Sequence, residues 1–286
     1  MPQQQTLARR ISCSGQALHL GREIGMTLSP APPDSGIVFC RVDLPGQPSI
    51  RASVDAVVDT RRCVTLGRDG WRVGTIEHLL AAAHGLGIDN LRVEVEGEEL
   101  PVGDGSARYF ARLMQEAGLS PQPVARIVRR IEAPAWVAEN GGYLVALPSP
   151  EPGLTVSFTF SADERAIGAQ YRRFHLGIDD FTGEIAPART VAFLEELEAL
   201  RREGLAQSTD PDVVVVVGPD GYVNSLRFPD ELVRHKILDL LGDLFLLGHL
   251  QGLVIGVRSG HRLNHLLGRE LALRGALAVP PGSMCD

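Results

Sequence analysis

The chain has 286 residues, of which 44% are hydrophobic and 22% are charged. These values are typical of a globular protein with room for two domains and a buried core, and they exclude a disordered or low-complexity chain. The net charge of −7 excludes a broad basic surface. We therefore expect no nucleic-acid partner, and any phosphate recognition must be local.

The sequence also lacks the patterns of a secreted or membrane-spanning protein. Residues 1–10 contain no apolar segment after their charges, so we expect no secretory signal. The most apolar stretch, residues 238–257, is interrupted by two aspartates, a histidine and a glutamine, so we expect no transmembrane segment. Cys13, Cys40, Cys63 and Cys285 have no short paired spacing of a thiolate cluster. We predict a cytoplasmic monomer.

Hydrophobic periodicity predicts an α+β protein in two halves of similar size. Strands and helices alternate in the first half, at residues 36–42, 77–86, 90–96 and 107–118. The two prolines between Gly118 and Arg126 break both periodicities, because proline removes a backbone donor and restrains its neighbour. We place a domain boundary there, which gives an N-terminal α+β domain at residues 1–122 and a C-terminal α+β domain at residues 123–286.

The second half repeats this composition. Strands are predicted at residues 143–147, 154–160, 213–217 and 253–257. Helices are predicted at residues 191–203, 229–248 and 264–274.

A metal site is predicted from the spacing of polar residues in two of these helices. Residues four apart lie on the same helix face, so His235 and Asp239 can bind one cation together. The best third ligand is His78, which follows Glu77 at the start of the predicted helix 77–86. Two histidines and one carboxylate, with a fourth position left to water, are the pattern of a hydrolytic zinc site.

Further residues have the side chains that amide hydrolysis needs. Glu77 is a carboxylate beside the site and is our candidate general base. His261, expected on a loop after strand 253–257, can protonate the departing amine, and Asp243 on the metal-binding face would favour its charged form. Thr190 is a candidate oxyanion donor by residue type alone. We interpret His84, His175, His249 and His265 as packing, surface or incidental residues.

Several segments, in one order along the chain, resemble the zinc-dependent UDP-3-O-acyl-N-acetylglucosamine deacetylases of lipid A biosynthesis. The resemblance covers nearly the whole chain. The matching segments are residues 15–21, 75–83, 87–90, 99–106, 188–190, 235–243 and 259–261.

The resemblance implies two α+β domains whose helices pack between two outer sheets, each domain carrying an insert that shapes the substrate site. It implies His78, His235 and Asp239 as zinc ligands, Glu77 as general base and His261 as general acid. It also implies Asp243 against His261, Thr190 at the oxyanion, and a substrate-binding set. That set comprises Lys236 and Arg258 facing the sugar and diphosphate, His19, Val191, and Cys63 near the metal without binding it.

Three segments depart from the family pattern. Residues 160–165 lack an aromatic and a histidine that the family has near the nucleotide, and residues 208–213 lack the glycines that line the acyl passage. Val191 replaces a common aromatic. We therefore expect this chain to keep the family's reaction and to bind its substrate with altered contacts.

The leading hypothesis is zinc-dependent hydrolysis of the acetamide of UDP-3-O-acyl-N-acetylglucosamine, with release of acetate. Fe²⁺ is the alternative metal, since the ligand set tolerates either. The partner is then a UDP-linked acylated amino sugar, with at most peripheral contact with acyl chains. The alternatives are a deacetylase of a different N-acetylated sugar and a non-catalytic, zinc-containing paralogue.

Overall fold

A computed structural model describes residues 2–162, 167–195, 197, 212–273 and 277–278, and these residues form the predicted α+β protein. Its helices are α1 (Glu77–Leu86), α2 (Ala107–Ala117), α3 (Phe181–Glu184), α4 (Glu231–Leu244) and α5 (His261–Leu273). Short 3₁₀ turns lie at Val54–Ala56 and Phe245–Leu247. In this part of the chain, no helix is both long enough and apolar enough to cross a membrane.

The first half is built on a five-stranded sheet of order β2-β3-β9-β4-β5, and β6, β7 and β8 form a separate three-stranded sheet. Its strands are β1 (Gln3–Leu7), β2 (Ile11–Gln16), β3 (Glu23–Pro30), β4 (Ile37–Arg41), β5 (Ser49–Arg51), β6 (Val57–Asp59), β7 (Thr65–Arg68), β8 (Trp71–Val73) and β9 (Leu91–Val95). Strands β4 and β9 confirm the predictions at 36–42 and 90–96.

The second half is built on a seven-stranded sheet in which β19 pairs with β11, β13 and β14. Its strands are β10 (Leu119–Ala125), β11 (Val128–Ile131), β12 (Ala135–Glu139), β13 (Gly142–Leu147), β14 (Leu154–Ala162), β15 (Gly168–Leu176), β16 (Thr190–Phe193), β17 (Val214–Gly218), β18 (Gly221–Tyr222), β19 (His249–Val257) and β20 (Leu277–Ala278). The four strands predicted in this half are confirmed.

The helices contact both large sheets and bury most of the core. Helix α1 packs against α2 and α4, α4 packs against β14 and β15, and α5 packs against β12 and β13. The backbones of α1 and α4 touch, since a Cβ atom added to Gly242 would lie 2.1 Å from the carbonyl oxygen of Glu77. This contact places the first turn of α1 directly on the middle of α4.

The predicted helix at 191–203 is wrong at its start. Residues Thr190–Phe193 form β16, which pairs in parallel with β17 so that Val191 lies opposite Val215. The valine-rich β17 offers β-branched partners that favour a strand at this position, and helical periodicity within one segment does not detect them. Residues 194, 195 and 197 are helical, as predicted, and the rest of the predicted helix lies outside the described residues.

The proline-containing segment 118–126 was expected to break regular structure, but most of it forms β10. This strand pairs antiparallel with β1, and Pro121 lies opposite Gln5. A two-stranded sheet tolerates proline because both strands are edges. Strand β10 crosses the predicted boundary at residue 122, whereas the two large sheets fall on either side of it, and the boundary stays a prediction.

Helix α5 begins at His261 and not at residue 264, so the prediction of a loop at His261 is wrong. The backbone N–H of Asn264 donates to the Gly260 carbonyl (3.0 Å), which is a helical bond of the first turn. Leu263, Leu267 and Leu271 share one buried face of this helix. The helix therefore extends back to the end of the loop that follows β19.

His84 is a packing residue, as the sequence indicated. It is buried in α1, its Nδ1–H donates to the carbonyl oxygen of Leu241 in α4 (3.0 Å), and its ring stacks on Phe245 with centroids 4.5 Å apart. Burial, assisted by the nearby His249 ring, lowers the pKa of His84 to about 3. The imidazole is thus neutral in the folded protein at every pH at which the protein is expected to work.

His84 should make the protein less stable as the pH falls. Its pKa is lowered from 6.5 to about 3 on folding, so between these values the unfolded chain binds the additional proton. The free energy of unfolding then falls by about 1.4 kcal/mol per pH unit from this residue. In His84→Asn, which keeps a donor for Leu241, chemical denaturation between pH 6.5 and 5 should show a slope smaller by about that amount, at equal metal content. An unchanged slope would contradict the assignment.

Candidate metal centre and active site

The three predicted metal ligands meet where α1 crosses α4. The candidate ligand atoms of His78, His235 and Asp239 all lie within 4.8 Å of one another. Oδ1 of Asp239 is 3.2 Å from Nε2 of His235 and 3.8 Å from Nε2 of His78. All three side chains are buried. Residues 157 positions apart in the chain (His78 and His235) thus form one donor set.

The donor set fits a divalent cation. Nδ1–H of His235 donates to the Ala188 carbonyl (3.2 Å), which leaves Nε2 unprotonated to bind a metal. Oδ2 of Asp239 accepts from Lys236 Nζ (2.9 Å), but Oδ1 is buried and has no hydrogen-bond partner among the described residues. A buried carboxylate oxygen without a partner is costly, and a cation between it and the two imidazoles would satisfy it.

The pKa values of the ligands support the same conclusion. Burial, together with the neighbouring His235, lowers the pKa of His78 to about 3. Burial alone would raise the pKa of Asp239, but His235 and Lys236 outweigh it and hold that pKa well below its usual range. Neutral imidazoles and an ionised carboxylate are the protonation states that metal binding requires.

Glu77 lies beside this donor set and outside it. Its Oε2 accepts from the backbone N–H of Val64 (3.0 Å), while its Oε1 lies 3.9 Å from Nε2 of His261. Burial raises the pKa of Glu77 to about 7, against the opposing effect of His261. A carboxylate with this pKa can accept a proton near neutral pH and release it again.

His261 is held by hydrogen bonds on the side away from Glu77. Its Nδ1–H donates to Oδ2 of Asp243 (2.8 Å), and Asn264 donates to the same oxygen (2.8 Å). Burial alone would lower the pKa of His261, but Asp243 and Asp239 outweigh it and raise that pKa to about 10. The charged imidazole therefore presents its Nε2–H to the space beside Glu77 and Asp239.

These groups line one cavity of about 450 Å³. The same cavity receives five further residues predicted from the sequence, namely His19, Thr190, Val191, Lys236 and Arg258. Cys63 instead lines a neighbouring cavity of about 310 Å³, which shares His19, Arg62 and Thr75 with the first. A larger cavity of about 780 Å³ at the far end of α5 contains none of the predicted site residues. The site is therefore identified by the side chains that line the 450 Å³ cavity, and not by the size of the cavity.

The sequence reasoning missed several residues of the active-site cavity, namely Leu18, Thr60, Arg62, Thr75, Glu139, Asn140 and Arg262. They belong to separate loops, to strand ends and to the first turn of α5, and local periodicity does not show that these segments meet. Asn140 had a readable signal, because Asn-Gly favours a tight hairpin turn, and it does join β12 to β13 with φ of 51°. The segments that depart from the family pattern, residues 160–165 and 208–213, lie partly outside the described residues, which exclude 163–166 and 198–211.

Comparison with known proteins identifies the family. Residues 4–273 match the family described as UDP-3-O-acyl N-acetylglycosamine deacetylase. The chain belongs to this family. A UDP-3-O-acyl-N-acetylglucosamine deacetylase of Myxococcus xanthus (strain DK1622) is 44% identical over 271 residues, which cover 94% of this chain and 86% of the relative.

Two further relatives with the same name are equally similar. The protein of Syntrophotalea carbinolica (strain DSM 2380 / NBRC 103641 / GraBd1) is 43% identical over 92% of this chain and 85% of its own length. The protein of Citrifermentans bemidjiense (strain ATCC BAA-1014 / DSM 16622 / JCM 12645 / Bem) is 42% identical over 95% of this chain and 89% of its own length. As a member of this metal-dependent family, the chain is a hydrolase of the deacetylase class.

Removing the carboxylate ligand should abolish tight metal binding. Loss of a hydrogen-bond partner to a metal ligand typically lowers metal affinity by about 10–100-fold, and we expect Asp239→Asn to exceed this because a ligand itself loses its charge. Affinity is measured by competition with a chelating dye, and content by elemental mass spectrometry. Glu77→Gln is the matched control and should retain the metal. Equal metal loss in both variants would contradict the assigned ligand set.

Removing Asp243 should lower the pKa of His261. In the intact protein that pKa is raised to about 10, and loss of an adjacent opposite charge typically shifts a pKa by about 1–3 units. The titration of ¹³C-labelled histidine, followed by NMR, should show a lower midpoint for His261 in Asp243→Asn. Asp220→Asn, at an exposed position that does not line the cavity, should leave it unchanged. A midpoint that stays in place in Asp243→Asn would show that this carboxylate does not set the charge of His261.

Proposed function

We propose that the chain hydrolyses the acetamide of UDP-3-O-acyl-N-acetylglucosamine and releases acetate, a step of lipid A biosynthesis, with Zn²⁺ as the bound cation. The observation that carries this proposal is the opposition of Glu77 Oε1 and His261 Nε2, 3.9 Å apart, beside the His78, His235 and Asp239 set. A purely structural metal would require neither residue. The names of the relatives supply the substrate.

The protein residues divide the proton transfers between them. When held by His78, His235 and Asp239, a divalent cation makes water more acidic and polarises the acetamide carbonyl. Glu77 accepts a proton at Oε1 from the attacking water. His261 donates its Nε2 proton to the departing amine nitrogen, while its Nδ1–H stays bonded to Asp243. The products are acetate and the free amine.

Thr190 and Lys236 complete the polar lining of the reaction space. The backbone N–H of Thr190 already donates to the Gly105 carbonyl (2.8 Å), so its hydroxyl is the group left to donate to the developing oxyanion. Lys236 Nζ binds Asp239 (2.9 Å) and lines the same cavity. Burial alone would lower the pKa of Lys236, but Asp239 outweighs it, so the ammonium stays charged.

Substrate binding is assigned to the cavity residues that surround this centre. Arg258, Lys236 and His19 supply charge and hydrogen bonds for the sugar and diphosphate, and Val191 supplies part of the apolar wall. We also assign Cys63, which lines the adjacent cavity, to the substrate-binding set as a residue that does not bind the metal. Burial, followed by the charge of Glu77, raises the pKa of Cys63 to about 12, which keeps it an unreactive thiol.

We further propose that the protein works as a cytoplasmic monomer. Cys13, Cys40 and Cys63 are free thiols, as expected in a reducing compartment. All residues assigned to the site belong to one chain, so the site needs no second subunit. Fe²⁺ is the alternative cation, since imidazole and carboxylate ligands accept either metal.

The decisive experiment is acetate release, followed by mass spectrometry, from UDP-3-O-acyl-N-acetylglucosamine with purified metal-loaded protein. Glu77→Gln and His261→Ala should each lower kcat by about 10²–10⁴-fold, the usual effect of losing a general base or acid. Metal content should stay at the wild-type level. Loss of the metal from His261→Ala would place this residue among the ligands and contradict its assigned role.

The second candidate is a deacetylase of a different N-acetylated sugar. It is favoured by Val191, which lines the cavity where the family commonly has an aromatic. Assaying the unacylated nucleotide sugar beside the acylated one separates the two functions. Faster turnover of the unacylated sugar would overturn the leading proposal, and no turnover of either would favour a non-catalytic paralogue.

A further inference from the structure

Glu99 is a buried carboxylate that joins two parts of the active site. It is 4% exposed, and it lies in the β-bridge that pairs residue 99 with Gly74. Its oxygens accept hydrogen bonds from the backbone N–H of His19 (3.0 and 3.2 Å) and of Leu20 (3.0 Å), and from the Thr75 hydroxyl (2.9 Å). One carboxylate thus satisfies three donors from two distant segments.

The first segment carries a residue of the substrate cavity. His19 lines that cavity, and its Nδ1 is buried without a hydrogen-bond partner in the described part of the protein. The backbone N–H groups of His19 and Leu20 both point at Glu99. The position of the His19 ring in the cavity therefore depends on this carboxylate.

The second segment leads directly into α1. Thr75 is buried and has φ of 57°, a left-handed conformation that β-branched residues rarely adopt. Backbone bonds clamp its neighbour Gly74, which donates to the Glu98 carbonyl (2.8 Å) and accepts from the Leu100 N–H (3.1 Å). The Thr75 hydroxyl bonds to Glu99 and also to the Cys63 thiol, and the buried carboxylate of Glu99 holds Thr75 in this strand-to-helix turn.

We propose that Glu99 is a positioning residue that holds the substrate loop at His19 and the start of α1 in one fixed arrangement. Thr75 precedes Glu77 by two residues and His78 by three. The backbone conformation of Thr75 therefore sets the start of α1, and with it the positions of the proposed general base and the first proposed metal ligand. This inference rests on the proposed function, since it assigns to Glu99 the alignment of substrate with base.

The two connections predict separable effects. The bonds to His19 and Leu20 act on substrate binding, and the bond to Thr75 acts on the base and the metal ligand. A glutamine at position 99 has one acceptor oxygen, and its amide group would face N–H donors. At least one of the three donors then loses its partner, which is costly in a buried site.

The test compares Glu99→Gln, Thr75→Val and His19→Ala, with Glu98→Gln as matched control. The Glu98 side chain is about half exposed, and Glu98 bonds to Gly74 only through its backbone carbonyl.

Glu99→Gln should raise KM, lower kcat and raise the Kd for Co²⁺, each by roughly 10-fold and up to about 100-fold, the usual effect of losing a partner that orients an active-site group. Thr75 also lines the cavity, so Thr75→Val should change kcat and the Co²⁺ Kd most, with a smaller change in KM than in Glu99→Gln. Thr75→Ser should restore kcat and the Co²⁺ Kd. Glu98→Gln should match wild type.

The double variant Glu99→Gln, His19→Ala decides the route. Its KM should equal that of His19→Ala alone, because Glu99 acts on binding through that residue, while kcat should fall further. Multiplied effects on KM would overturn the proposal, as would a Glu99→Gln protein that melts earlier while KM, kcat and the Co²⁺ Kd stay at wild-type values. If Glu99→Gln does not fold, Thr75→Val and Thr75→Ser carry the test, and equal kcat and Co²⁺ Kd in these two variants would overturn it.

Binding of Co²⁺, followed by its visible absorption, needs no turnover. If the wild-type protein releases no acetate from the nucleotide sugar, the proposed function fails. The Co²⁺ Kd values of Glu99→Gln and Thr75→Val still decide whether Glu99 positions the start of α1. The two failures are therefore distinguishable.

Discussion

The close approach of helices α1 and α4 is the constraint on which the site depends. A Cβ atom at position 242 would lie 2.1 Å from the Glu77 carbonyl oxygen and 3.2 Å from the Ala81 nitrogen, so only glycine permits the backbones to touch. The contact continues in the hydrogen bond from His84 to Leu241 (3.0 Å). With larger residues at the crossing, His78 would be held away from the α4 face, and the three ligands would not meet.

This crossing also concentrates charge where water is excluded. Glu77, Asp239 and Asp243 are all buried within one site, an arrangement that is unfavourable unless cations compensate it. Lys236 bonds to Asp239 and His261 bonds to Asp243. A cation held by His78, His235 and Asp239 would compensate the remaining charge, that of Glu77. Burial raises the pKa of Glu77 to about 7, whereas burial would lower that of His261, which Asp243 and Asp239 instead raise to about 10. Between these values the base is ionised while the acid is protonated, as the reaction requires.

Much of the centre was readable from the sequence because helical spacing is a local property. The four-residue spacing from His235 to Asp239 and Asp243 needed only a helix, and α4 provides it. Helix α1 was predicted with its observed bounds, since its alanine and leucine run is helical on any reading. The meeting of α1 with α4 could be expected only from the chemistry that the donor set suggests, together with the family resemblance.

Elements that depend on distant partners could not be predicted in this way. Strand β16 owes its conformation to pairing with β17, which lies 24 residues further along the chain at its first pair, Thr190 opposite Val214. Strand β10 contains two prolines and exists because β1 pairs with it. The left-handed Thr75 is held by Glu99, and no local preference of threonine indicates that conformation.

The active-site cavity also resolves the apparent conflict between an acidic protein and the anionic nucleotide substrate proposed for it. The net charge is −7, yet Arg62, Lys236, Arg258 and Arg262 all line the cavity. Charges separated by more than about 8–10 Å are largely screened at physiological salt, so the cavity residues, and not the total charge, set the field that a diphosphate meets there. Because these cations come from four different places in the sequence, composition alone predicted only that phosphate recognition must be local. The fold is what gathers them around the buried carboxylates.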